Sequence, residues 1–180
     1  MPGLEDLYRE IILDHYRSPR NRGELDSPPA VRVEGFNPLC GDEVVVTLDV
    51  DDGAVTDIKI GGTGCSISQS SASMMSAAVK GRSVSEARDL IATFKGMMSI
   101  HEAHLGEGSS SARSPGNGRA AELSPGPETV DGEPEQVDLA ELGELAALQG
   151  VVKFPVRIKC ATLSWNALDQ GLRELEAAAN

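Results

Sequence analysis

The spacing of hydrophobic residues near the N-terminus changes from a helical period to a strand-like one. Residues 4–17, "LEDLYREIILDHYR", predict an amphipathic helix with one apolar stripe. Strand-like runs follow at 30–35, 43–50 and 54–60, and the last two are joined by the turn residues "DDG" at 51–53. These runs predict a small antiparallel sheet of about three strands. The stripe of the helix consists of Leu4, Leu7, Tyr8, Ile11 and Ile12.

Helical spacing returns after the sheet. A helix is predicted directly after Cys65, ending near Gly81, and Ser83 with Glu86 forms a capping box that opens the next helix. A long helix is predicted at the C-terminus. The apolar residues on one face of the first of these helices are Ile67, Met74, Met75, Ala78 and Val79, and those of the last are Leu163, Leu168, Leu172 and Leu175.

This order of elements predicts an α/β (α+β) fold in which a three-stranded antiparallel sheet packs against helices. The chain has 180 residues, which is enough for one domain with a real core, so we predict a single domain over 1–180. Residues 101–136 interrupt it, because they are rich in Gly, Ser, Pro and Glu and have almost no large apolar side chain. Such a composition predicts a flexible insertion. Order is expected to resume at Asp138, as the cap of "LAELGELAALQG".

The net charge of the chain limits the classes of partner that it can bind. The net charge is −12, with 28 acidic and 16 basic residues, which argues against binding of nucleic acid. No stretch is apolar for long enough to span a membrane, and the N-terminus "MPGLEDLYRE" lacks the pattern of a signal peptide. We therefore expect a cytoplasmic protein with no nucleic-acid or membrane partner.

Three cysteines lie at junctions between predicted elements. Cys40 and Asp42 precede the strand at 43–50, Cys65 follows the strand at 54–60, and Cys160 is expected in or just before the first turn of the last helix. The turn between these strands lies about midway, so their open ends meet at one edge of the sheet. Cys40, Asp42 and Cys65 are thereby brought close together, and a third segment could deliver Cys160. The simplest alternative is three buried, inert thiols.

Three thiols and a carboxylate form an acceptable tetrahedral set of zinc ligands. A helix N-terminus is expected to favour the thiolate at Cys65, and also at Cys160 if its helix begins there. The same four groups could instead hold a [2Fe–2S] cluster or iron, and spacing alone does not separate these ligands. His15, His101 and His104 are interpreted as solvated or packing residues rather than as ligands.

Three motifs now point to a family. "NPLCGD", "GTGCSISQSSASMM" and "FPVRIKCATLSW", together with the N-terminal "LYREIILDHYRSPRNRG", resemble the SufU branch of the NifU N-terminal (IscU-like) iron–sulfur cluster assembly proteins. The resemblance covers about residues 4–99 and 138–172, with the motifs in the family's order. It implies a SufE/NifU-like fold with the metal site at one end of the sheet.

The resemblance also implies roles for single residues. Cys40, Asp42, Cys65 and Cys160 fall on the family's zinc ligands, and Cys40 falls on the thiol that accepts sulfur. The donor implied is a persulfide on a SufS-type cysteine desulfurase, and the later partners are downstream iron–sulfur scaffold proteins. Where the IscU branch has a histidine before the third cysteine, this chain has Lys159, which favours zinc-dependent sulfur transfer.

Three functions stay open at this point. The first is a zinc-bound sulfur acceptor that serves a desulfurase. The second is a scaffold on which a [2Fe–2S] cluster is assembled and passed to apo-proteins. The third is a binding module whose zinc is purely structural.

Overall fold

A computed structural model describes residues 3–105 and 139–179, and within them the strands form one antiparallel sheet. Strand β1 spans Val31–Asn37, β2 spans Asp42–Asp51 and β3 spans Ala54–Thr63. The order is β1-β2-β3, so the central strand pairs with both neighbours. This confirms the predicted fold class, and each strand ends one to three residues later than predicted.

The turn between β2 and β3 follows from its residues. Between β2 and β3, Asp52 and Gly53 both have positive φ, at 51° and 75°. Two consecutive positive φ values are typical of the tight hairpin turn that suits the twist of the strands. Glu43 pairs with Thr63 at the other end of this hairpin, so the start of β2 and the end of β3 share one edge. The predicted meeting of these ends is therefore present.

The helices occur where the apolar spacing predicts them. The capping box at the start of α3 is formed, because the Ser83 N–H donates to Glu86 Oε2 over 2.9 Å and the Glu86 N–H donates to Ser83 Oγ over 3.2 Å. The helical segments are α1 (Leu4–Arg17), α2 (Ser66–Val79), α3 (Val84–Leu105), α4 (Leu139–Leu142), a 3-10 segment (Gly143–Lys153) and α5 (Pro155–Ala178). No helix among the described residues is long and apolar enough to cross a membrane.

The core lies between one face of the sheet and the helices. Alternate side chains of β2, including Val44, Val46 and Leu48, are buried beneath α5. Trp165 of α5 stacks on Phe94 of α3, with ring centroids 4.2 Å apart and planes 12° apart. Helix α5 is thereby held between the sheet and the other helices, and this position places Cys160.

The apolar stripe of α1 is only partly used. Ile11 and Ile12 pack against the core, but Leu4 and Leu7 are exposed. The buried residue of this helix is His15, whose Nδ1 lies 2.8 Å from Ser73 Oγ. Its Nε2 lies 2.9 Å from Glu144 Oε2. Of the two roles expected for His15, solvated or packing, the packing role is therefore observed, and the predicted apolar stripe is buried only in part.

The predicted insertion at 101–136 falls largely outside the described residues. Helix α3 continues to Leu105, so the backbone of the first five residues of that segment is helical. The rest of the segment and the predicted cap Asp138 lie outside the described part of the chain, as do the side chains of His101 and His104. Flexibility of the insertion stays a prediction.

Candidate metal centre

Cys40 is presented by the hairpin that joins β1 to β2. Asn37 and Asp42 are the last pair of this hairpin, and residues 38–41 form its loop. The loop closes through a hydrogen bond of 2.8 Å from the Gly41 N–H to the main-chain carbonyl of Asn37, with Gly41 at a φ of +70°. Cys40 is exposed at the tip. This loop, closed by one backbone hydrogen bond, thus presents an accessible thiol.

Asp42 uses its two oxygens for different purposes. It is buried, with 2% of its surface exposed. Its Oδ1 accepts a hydrogen bond of 3.0 Å from the Cys65 backbone N–H. Its Oδ2 accepts contacts from the thiols of Cys40, at 3.2 Å, and Cys65, at 3.4 Å. One oxygen therefore fixes the backbone of the neighbouring segment, and the other faces the sulfur atoms.

The charge state of Asp42 follows from opposing effects. Burial, the largest single effect, disfavours the carboxylate and would raise the pKa of Asp42. Hydrogen bonds from the Cys65 N–H and from the three thiols outweigh it, and together they lower the pKa of Asp42 below its usual value. The side chain is therefore available as an anionic ligand.

Cys65 lies at the N-cap of α2, as the sequence predicts. Its Sγ accepts a hydrogen bond of 3.4 Å from the Ser68 N–H, in the place of the usual hydroxyl or carboxylate cap. The positive end of the helix dipole favours an anionic group at this position. Cys65 is half-buried between β3 and α2.

Cys160 lies deeper in its helix than expected. Helix α5 begins at Pro155, so Cys160 is in its second turn, and the expectation that it sits at or before the first turn is wrong. The early start follows from proline, which is favoured in the first turn of a helix. Burial raises the pKa of the Cys160 thiol far above its usual value, and hydrogen bonds to Cys40 and Asp42 add to this effect. Its Sγ lies 3.1 Å from Cys40 Sγ.

A buried hydroxyl holds this turn of α5 against α2. Ser71 donates to the main-chain carbonyl of Ala161 over 2.6 Å and accepts from Trp165 Nε1 over 3.1 Å. Both partners lie within a turn and a half of Cys160. The serine-rich sequence of α2 is the one signal of this contact, and sequence reasoning missed it.

The structure brings most of the predicted site together. The ligand atoms of Cys40, Asp42 and Cys160 lie within 4.8 Å of one another, close enough to contact a single ion. Cys65 lies outside this compact group of three, but its Sγ reaches the same Asp42 oxygen. The donors are three sulfurs and one carboxylate oxygen, which are the atoms that zinc accepts in four-coordinate protein sites.

Asn37 is the first residue of the "NPLCGD" motif, and its position in the sequence predicts no role for its side chain. The side chain is buried, with 6% of its surface exposed. Its Nδ2 lies 3.8 Å from Cys160 Sγ, and its Oδ1 accepts from the Leu39 N–H over 3.1 Å. The alternation of β1 predicts an inward side chain here, but its partner, Cys160, belongs to α5 and lies far away in the sequence.

Known proteins resemble this chain over most of its length. The family described as "NifU-like N terminal domain" matches residues 7–112. The chain belongs to the NifU-like N-terminal domain family. A curated relative is the zinc-dependent sulfurtransferase SufU of Bacillus subtilis, which is 39% identical over 173 residues, covering 96% of this chain and 94% of that protein. Another is the iron–sulfur cluster assembly scaffold protein IscU of Streptococcus pyogenes, 36% identical over 94% of this chain and 85% of that protein.

Solved structures of this family share the fold. The SUF-system protein FiSufU from Fervidobacterium islandicum AW-1 is 26% identical, with a TM-score of 0.68, covering 94% of this chain and 99% of that one. The N-terminal part of a NifU-like protein from Brucella abortus has the same TM-score of 0.68 at 21% identity, over 97% of each chain, and supports the fold alone.

Proposed function

We propose that this protein is a zinc-dependent sulfur acceptor of iron–sulfur cluster assembly. The observation that carries the proposal is an exposed thiol, Cys40, held in contact with the buried donors Asp42 and Cys160. A purely structural zinc site needs no exposed ligand. The sulfurtransferase activity of the Bacillus subtilis relative supports the same function.

Zinc would be held by Cys40, Asp42, Cys65 and Cys160. These donors fit the ion, because three of the four ligand atoms already lie within 4.8 Å of one another and the fourth contacts Asp42. When bound, zinc would keep the sulfurs as thiolates, which the burial of Cys160 otherwise opposes.

Sulfur transfer then requires one exchange at Cys40. Its thiolate attacks the terminal sulfur of a persulfide on a cysteine desulfurase, expected to be of the SufS type. A bond forms between Cys40 Sγ and that sulfur, and the sulfur–sulfur bond of the desulfurase breaks. The desulfurase cysteine leaves as a thiolate and Cys40 becomes a persulfide, with no net oxidation. Downstream iron–sulfur scaffold proteins would take the sulfur next.

The alternative function is a scaffold on which a [2Fe–2S] cluster is assembled and passed to apo-proteins. The IscU relatives favour this alternative, and thiolates suit iron as well as zinc. Lys159, which replaces the IscU-branch histidine beside Cys160, favours the sulfur acceptor.

Metal analysis separates the two functions. Protein purified without oxygen is expected to contain one zinc ion per chain and little iron, because the donor set is complete without inorganic sulfide. Stoichiometric iron and acid-labile sulfide without zinc would favour the scaffold.

Cys40→Ser tests the transfer step itself. We expect the variant to lose stimulation of the desulfurase, because a hydroxyl neither attacks a persulfide efficiently nor forms one. Asp42→Ala is the matched comparison, since it removes a ligand and leaves every thiol in place. The measurements are desulfurase turnover and mass spectrometry of the sulfur adduct, which should map to Cys40. Stimulation by Cys40→Ser with the adduct on Cys160 would reduce Cys40 to a ligand only.

A further inference from the structure

The three thiols of the candidate centre differ in the hydrogen bonds that they accept. Cys65 Sγ accepts from the Ser68 backbone N–H at 3.4 Å. Cys160 Sγ accepts from the Asn37 side-chain amide at 3.8 Å. Within residues 3–105 and 139–179, Cys40 Sγ contacts Asp42 Oδ2 and Cys160 Sγ, and neither of these atoms belongs to an N–H donor. Two sulfurs therefore have an N–H partner, and the third does not.

The orientation of the Asn37 amide is set by its own loop. The Leu39 N–H donates to Asn37 Oδ1, so the oxygen must face the loop and the NH₂ group must face Cys160. The main-chain carbonyl of Asn37 also accepts from the Gly41 N–H. One buried residue is thus attached to the loop on both sides of Cys40 and to the sulfur of Cys160.

A hydrogen bond from an N–H group changes the reactivity of a thiolate. An N–H···S contact withdraws electron density from a metal-bound sulfur, which lowers its tendency to attack, and it fixes the ligand in place. Burial protects Cys160 further, since only 1% of its surface is exposed. Cys40 has neither form of protection.

We propose that Asn37 is a positioning residue that makes the thiols unequal, so that Cys40 leaves the ligand set to accept sulfur while Cys160 stays in it. Its amide N–H retains Cys160, and its two oxygens hold the loop that presents Cys40. This inference rests on the proposed function, and it adds the device that selects which thiol reacts.

Two variants separate the contacts of Asn37. Asn37→Ala removes both side-chain contacts. Asn37→Asp has nearly the same shape and keeps an oxygen for the Leu39 N–H, but it has no N–H for Cys160. The experiment uses the zinc-loaded full chain of the wild type and of each variant. Iodoacetamide labelling at each cysteine is followed over time by mass spectrometry, with circular dichroism and zinc content measured in parallel.

We expect Cys160 to be labelled about tenfold faster in both variants, while labelling of Cys65 is unchanged because its Ser68 contact is intact. After incubation with the desulfurase and cysteine, part of the sulfur adduct should move from Cys40 to Cys160. If Cys160 were labelled at the wild-type rate in Asn37→Asp, the proposal would be overturned, even if Asn37→Ala were labelled faster. The contact with the Leu39 N–H, which Asn37→Asp keeps, would then be the one that matters. Faster labelling at all three cysteines would also overturn it, since Asn37 would then act on the whole site.

The labelling experiment needs no sulfur transfer, so it tests the role of Asn37 independently of the proposed function. If the variants expose Cys160 but no wild-type sulfur maps to Cys40, the proposed function fails. If wild-type sulfur maps to Cys40 and the variants behave as the wild type, the role of Asn37 fails alone.

Discussion

At the scale of single residues, the candidate centre depends on how closely Asp42 and the segment before α2 approach each other. The Cys65 N–H reaches Asp42 Oδ1 because Gly64 has no side chain in the way. A Cβ added at Gly64 would lie 2.9 Å from Asp42 Oδ1 and 3.0 Å from its carboxyl carbon. Real Cβ atoms are not found that close, so the carboxylate would have to move.

Gly64→Ala is therefore expected to weaken zinc binding about 10- to 100-fold, the usual cost of disturbing the support of a ligand. Competition with a chromophoric chelator measures this affinity. Gly61→Ala is the matched control, because its Cβ would make only ordinary contacts, at 3.7 Å from Gly23 O and 3.8 Å from Val45 Cβ. Equal affinities of the two variants would show that the position of Asp42 does not control the site.

At the scale of elements, the ends of strands and helices carry most of the site. Cys40 lies in the β1–β2 loop, Asp42 begins β2, and Cys65 caps α2. Chain ends of this kind leave backbone N–H groups without partners inside their element, and the site uses two of them, those of Cys65 and Ser68. The ends of strands and helices can therefore supply both the candidate metal ligands and the N–H groups that hold them.

The start of α3 gives a prediction about pH. Hydrogen bonds from the Ser83 backbone and hydroxyl hold the pKa of Glu86 below its ordinary value of 4.5. A lowered folded-state pKa stabilises the protein above the unfolded-state pKa, and this stability is lost as pH falls through the folded-state value. Glu86→Gln should therefore lower the free energy of unfolding at neutral pH but have a diminishing effect below about pH 4.

Urea unfolding at a series of pH values measures this difference. Glu10→Gln is the control, because it removes the same charge from an exposed position of α1. A loss of stability in Glu86→Gln that stays constant down to pH 2–3 would contradict a role for the carboxylate charge in the cap.

At the scale of the whole molecule, four exposed apolar side chains lie within six residues of Cys40 or Cys160 in the chain. Phe36 and Leu39 precede Cys40 in its hairpin, and Phe154 and Val156 precede Cys160 in the chain. Each of the four exposes between 59% and 65% of its surface. Exposed apolar side chains beside a candidate site are typical of a surface that a partner covers, and we expect the desulfurase to be that partner.

Phe36→Ser and Phe154→Ser are expected to raise the KM of the desulfurase for this protein about tenfold each, with little change in kcat, because each removes contact area rather than a reacting atom. Tyr16→Ser is the control, since Tyr16 is also exposed but lies on α1. Steady-state turnover against protein concentration gives both constants. A fall in kcat at unchanged KM would instead indicate damage to the centre itself.

The sequence by itself determined the elements and the family, because both depend on short-range patterns. Apolar spacing, the "DDG" turn and the Ser83–Glu86 box act within a few residues of chain, so strands, helices and caps lie close to their predicted positions. The hairpin between Cys40 and Cys65 likewise brings its own ends together. Three candidate ligands could be brought together on these grounds, and the resemblance to the family added Cys160 as the fourth.

The tertiary structure decided how unequal those ligands are. The burial of Cys160, its raised pKa and its contact with Asn37 all arise where α5 packs on β1, and these two elements are far apart in the chain. Helix α1 packs on α2 and on the 3-10 segment, and Leu4 and Leu7 stay exposed there, although their spacing matches that of buried residues. Burial and long-range contacts depend on which surfaces meet, and no local pattern contains that information.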